Sequence, residues 1–208
     1  MRRTTLAASL LFLLCAAGPA AADPTVQVAG GRTMVKLSDE FVGALGALGV
    51  AAAPIGPATL HRRFAGFPIP GGALDLETAR GDIFHTGGLS LSAGDTRVQL
   101  LNFVIDTQGD APVLTGLVSK NGDLIARVPL FALKLNDESS LWWSRVLIVR
   151  DVDMTLTAEA AGALNDIFGV SDFVEGFPIG EAVVWTKIVN PRSRGHGNGH
   201  GNGDDDAR

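Results

Sequence analysis

The chain has 208 residues, of which 46% are hydrophobic, enough to build one ordinary core and too many for global disorder. Seventeen Lys and Arg stand against 22 Asp and Glu, a formal charge of −5. Taken over the whole chain, that balance gives no electrostatic reason to bind nucleic acid or an anionic membrane.

Arg2 and Arg3 precede a short uncharged apolar run from Leu6 to Ala17, and Ala20-Ala21-Ala22 stands before Asp23. This is the pattern of a cleavable export signal over 1–22. About 12 apolar residues are too few for a membrane span, which needs about 20, so no transmembrane anchor is expected and the chain is placed outside the cytoplasm, secreted or in the cell envelope. Removing the first 22 of the 208 residues leaves 186 and takes the formal charge from −5 to −7. It also removes Cys15, the only cysteine, so disulfides, thiolate metal sites and a cysteine nucleophile are excluded.

From 23 to 190 the dominant signal is short β segments punctuated by glycine. Thr33 to Leu37 and Gly88 to Ser92 alternate apolar and polar residues. Arg97 to Asp106 also reads as a strand, but its apolar phase slips near Leu100 and Leu101, which predicts a β-bulge. Val113 to Val118, Asn121-Gly122 and Leu124 to Leu135 make the clearest hairpin, because Asn-Gly readily adopts the positive φ that a tight turn requires. Pro129 cannot donate to a ladder and predicts an edge or bulge. Arg145 to Thr157 and Glu181 to Val189 complete the strands.

Ser38 and Thr157 each precede acidic residues and an apolar run, the start of a capped helix. The two helix starts echo one another. Leu37 to Leu45 aligns with Leu156 to Leu164, both stretches then reach Gly-Val, and Pro54-Ile55-Gly56 matches Pro178-Ile179-Gly180. The echo suggests an internal duplication, with shared Ala/Gly-rich composition as the alternative. The expected fold is therefore mainly β, an antiparallel β-sandwich-like domain with two short helices. The stretch 191–208 is Gly, Asn, His and Asp and reads as a disordered tail.

Few residues suggest chemistry. His85 sits where a strand ends in Thr86-Gly87-Gly88, so it is either a ligand facing a cleft or a turn histidine bonded to nearby backbone. His61, beside Arg62 and Arg63, reads as a solvated strand residue. His196 and His200, with Asp204 to Asp206, form a loose candidate metal set in the tail. Asp75, Asp82, Asp95, Asp106 and Asp110 are candidates for paired-carboxylate hydrolysis or, more simply, turn formers. No Gly-x-Ser-x-Gly or His-Glu-x-x-His motif is present. Trp142 and Trp143 are adjacent, so on a strand they point to opposite faces and only one can enter the core; the other is either partly buried under the loop from Asn136 to Ser140 or a candidate binding platform.

Phe67-Pro68-Ile69-Pro70-Gly71-Gly72, Gly81 to Leu91, Leu101 to Asp106 and Thr155 to Ala161 resemble, in order and spacing, the HtaA-type domain of secreted bacterial haem-uptake proteins. The likeness covers about 33–184. It implies a β-rich, non-enzymatic binding module with haem or a cell-envelope component as partner. In that family a tyrosine ligates the iron and a histidine supports it. This chain has no tyrosine, and Phe41 stands near the position where one is expected. The resemblance then leaves His85 as the iron-facing residue, and a structural or adhesive role without haem as the alternative.

Overall fold

The computed structural model describes residues 25–136, 140–143 and 145–189. The export signal at 1–22, the tail at 191–208 and both tail histidines, His196 and His200, lie outside the described residues.

Among the described residues thirteen strands and two helices follow in order: β1 (Thr25–Leu37), α1 (Asp39–Ala47), β2 (Ala51–Ile55), β3 (Thr59–His61), β4 (Phe64–Ile69), β5 (Gly71–Asp75), β6 (Gly81–Phe84), β7 (Gly88–Ala93), β8 (Thr96–Asp106), β9 (Val113–Lys120), β10 (Asp123–Leu135), β11 (Ser140–Trp143), β12 (Val146–Leu156), α2 (Ala158–Phe168) and β13 (Pro178–Val189). Every strand pairing is antiparallel. No βαβ crossover unit is therefore present among them.

The expected sandwich is a barrel. Neighbour follows neighbour through β1, β13, β12, β10, β9, β8, β6 and β5, and β5 pairs back onto β1. The alternation of inward and outward residues is the same in both architectures, so the sequence does not separate them; pairing at the sheet edges does. Of the remaining strands, β2, β3, β4 and β7 extend one rim, and β11 pairs the start of β12 at the other. β1 pairs β5 over its first residues and β4 over its later ones, with β3 beyond β4. Likewise β8 pairs β6 at its end and β7 at its start, with β2 beyond β7.

Local chemistry explains most element boundaries. The Ser38 side chain accepts from Phe41 N and the Thr157 side chain from Ala160 N, so both hydroxyl caps form as expected. Asn121 and Gly122 have φ of 53° and 100°, the geometry their hairpin turn requires. Register shifts at Pro129/Phe131, as proline demands, while the bulge in β8 falls between Leu101 and Val104, just past the predicted phase slip. Asn102 absorbs it with a positive φ of 49°.

The helix echo is real in secondary structure and stops there. Strand, cap and helix recur, but the strand holding Pro54 pairs only β7, whereas the strand holding Pro178 pairs β1 and β12. A duplication is not shown. Thr157 also donates its hydroxyl to Pro129 O, tying α2 to the bulge in β10. Thr157→Ala is accordingly expected to cost about 1–2 kcal/mol, read as a lower urea midpoint with an unchanged slope.

Candidate functional site

The most distinctive interior feature is His85. Inward and outward positions alternate at the end of β6, so Ile83 is buried, Phe84 is exposed, and His85 turns in with 3% of its surface accessible. The backbone ladder carries on past the strand, His85 N donating to Phe103 O at 2.8 Å and Thr86 N to Pro68 O at 3.0 Å. The next two glycines are required by close approach. A Cβ on Gly87 would lie 2.6 Å from Ile55 O, and one on Gly88 would lie 2.0 Å from Leu100 O. The turn between β2 and β3 therefore rests directly on the histidine segment.

Both ring nitrogens are engaged. Nδ1 lies 3.3 Å from Phe103 O, a pure acceptor, so it carries the proton. Nε2 is then unprotonated and accepts from the Thr33 hydroxyl at 2.7 Å. Desolvation holds the imidazole well below its usual range, at a pKa of about 4, against the opposing effect of its backbone partners Phe103 and Ile83. The ring is neutral at pH 7.

Around this pair is an almost wholly apolar chamber of about 50 Å³, with Phe67 and Phe103 stacked edge to face at 5.1 Å and 84°. Phe41 of α1 reaches the same chamber, as do Ala52 of β2 and Leu60 of β3. The structure thus brings together the two positions that the sequence singled out, Phe41 and His85. Thr33 was missed, although it is the one polar residue among the inward positions of its strand, between Val28 and Val35. That polar break in an apolar phase is the signal that marks it.

The other candidates separate. His61 is exposed on β3, as expected. Asp75 is a turn former, its Oδ1 accepting from Glu77 N and Thr78 N, and the Thr78 backbone bond leads in lowering its pKa. Asp95 and Asp110 are exposed. Asp82 and Asp106 do face each other across β6 and β8, but Gln108 bonds both, through its side chain to Asp82 and its backbone N–H to Asp106. They lie outside the interior chamber. Trp142 and Trp143 pair opposite Leu147 and Val146 on β12. Among the described residues no cluster of three His, Cys, Asp or Glu could hold a metal ion, and no helix is long and apolar enough to cross a membrane.

No family model matches the sequence, and no curated protein matches it. Solved structures do. The C-terminal domain of HtaA from Corynebacterium glutamicum superposes with a TM-score of 0.64 at 14% identity, covering 79% of this chain and 99% of that domain. The fold is that of the HtaA domain. HtaB from Corynebacterium glutamicum, a heme binding protein, gives a TM-score of 0.54 at 10% identity, over 79% of this chain and 96% of HtaB. A histidine-to-alanine variant of the HtaA domain that forms a domain-swapped dimer gives 0.52 at 16% identity, over 71% of this chain and 90% of the variant. The HtaA-type fold accordingly accounts for nine-tenths or more of each of these domains and for more than two-thirds of this chain. At such identities the agreement concerns the fold, and the site must be argued from its own residues.

Proposed function

We propose that this chain is a non-enzymatic, exported binding module of the haem-binding type, with His85 as its iron-facing residue. The observation that carries the reading is the chemistry of His85: a neutral imidazole with an unprotonated Nε2, next to the apolar walls that a porphyrin requires. The HtaA-type fold, shared with a heme binding protein, supports it.

The donor chemistry fits haem iron; the enclosed volume does not. A chamber of about 50 Å³ is far below the roughly 300 Å³ or more of ordinary ligand pockets, so haem reaches His85 only if the wall supplied by Phe41, Ala52 and Leu60 moves away. That wall comes from the consecutive short elements α1, β2 and β3, and each of the two strands pairs on one side only. Thr33 must also release Nε2. When bound, haem would supply the redox-active or transportable iron, and the protein's part is to present the neutral nitrogen and keep water out.

Hemin titrated into the purified protein is expected to give a shifted Soret band that His85→Ala abolishes. An unshifted band, or a band indifferent to His85→Ala, would leave the structural or adhesive alternative. The hydrolase reading finds little support, since Asp82 and Asp106 share their hydrogen bonds with Gln108 and face each other away from the chamber.

A further inference from the structure

The acidic balance of the chain conceals a face of opposite character on the outer wall. Cross-strand register places three outward rows side by side over β4, β1 and β13. Phe64 stands opposite Lys36 and Lys36 opposite Glu181; Gly66 opposite Met34 and Met34 opposite Val183; Pro68 opposite Arg32 and Arg32 opposite Trp185. Ile148 of β12 continues the Trp185 row, and Lys187 lies two residues along from Trp185 on the same face. Phe64, Trp185 and Met34 are 46%, 41% and 37% exposed, three large apolar side chains that cross-strand register brings onto one face.

Charge on this face is lopsided. Arg32 and Lys187 flank Trp185 with no carboxylate in the same rows, while Lys36 faces Glu181, itself opposite Asp153, and Arg63 pairs with Asp39. Arg62, an exposed cation at the β3–β4 turn, lies at the opposite, Phe64 end, where Glu181, Asp153 and Asp39 offset Lys36, Arg63 and Arg62. The positive charge is thus centred on the Trp185 end. Gly66 keeps the middle low: a Cβ there would lie 2.9 Å from Met34 Sδ and 3.4 Å from Arg32 Nη1, so both side chains lie flat across it.

The geometry points to an anionic lipid surface as the partner of this face, independently of what His85 binds. Trp, Phe and Met beside Arg and Lys suit the membrane interface, where indole and phenyl rings sit at headgroup level and cations meet acidic lipids. The outside of a closed barrel is convex. Small ligands use concave pockets and single-stranded nucleic acids use basic grooves, whereas a soft, extended surface can meet a convex wall.

The test is co-sedimentation of the purified protein with vesicles of phosphatidylcholine alone or mixed with phosphatidylglycerol. Pelleting is expected only with phosphatidylglycerol and is expected to weaken as salt rises. At roughly fivefold per cation, Arg32→Gln with Lys187→Gln should lower partitioning about 25-fold, and Trp185→Ala should lower it as well. Arg97→Gln with Lys120→Gln, on β8 and β9 across the barrel, removes the same charge and should leave partitioning within about twofold, which separates this face from net charge. An unchanged urea midpoint in each variant assigns the loss to the surface rather than to unfolding. The proposal is overturned by equal binding to neutral vesicles, by equal loss in the Arg97/Lys120 pair, by capture of a single-stranded oligonucleotide in place of vesicles, or by a lipid-free dimer that Trp185→Ala dissolves.

Discussion

Lowering the pH from 7 to 4 is expected to remove about 3 kcal/mol of unfolding free energy through His85 alone. The folded-state pKa is about 4, against an ordinary value of 6.5, because burial disfavours the imidazolium. Between those two values the unfolded chain binds a proton that the folded chain refuses, so stability is complete above about pH 6.5 and falls as pH drops toward 4. Below the folded-state pKa both forms are protonated and this contribution stops changing. Urea denaturation at a series of pH values measures it, and Thr33→Val with His85→Leu supplies the reference. Removing both hydrogen-bonding partners leaves neither the hydroxyl nor the imidazole stranded in the interior, so the double variant should fold and lack this slope. His85→Leu alone leaves the Thr33 hydroxyl without its ring partner at 2% exposure and is expected to be less stable than the double variant. Identical pH slopes in the wild-type and double-variant proteins would show that His85 titrates normally and is solvated, which would also undercut its neutral form as the basis of the proposed function.

The same pair shows where sequence reasoning reached and where it stopped. His85 was visible because the glycines after it mark the end of a strand, and the hydroxyl caps and the Asn-Gly turn were visible because each rests on contacts within a few residues. Thr33 was not, since its partner lies 52 positions away and the contact exists only once β1 and β6 close into one barrel. Barrel closure was hidden for the same reason. Alternation says which side of a strand faces in, but the pairings of β5 with β1 and of β13 with both β1 and β12 join segments distant in sequence. The exposed tryptophan on the basic face is Trp185; Glu181 and Lys187 share its phase along β13 and mark it as outward, but its position beside Arg32 is a matter of register across strands. Local chemistry was legible, and long-range pairing was not.

Phe103→Ala is expected to cost about 3–5 kcal/mol, lowering the melting temperature by roughly 10 °C for a chain of this size. Phe103 is 3% exposed, and its ring stacks edge to face on Phe67, so truncation forfeits both burial and an aromatic pair. The loss also enlarges the chamber next to His85. Collapse into the new space is resisted by β8, whose backbone at Phe103 O receives both the amide and ring N–H of His85. Phe84→Ala provides the contrast. It lies one residue before the histidine, yet its side chain is 46% exposed on the other face, and its truncation is expected to cost about 1 kcal/mol or less. Thermal unfolding of the two variants therefore measures the alternation directly. Similar losses would mean that the end of β6 is not held in this register, and His85 would then have no fixed place beside Thr33. A large loss at Phe103 alone places the aromatic pair and the histidine in one packed unit, with the apolar wall that any haem would have to part before reaching the ring.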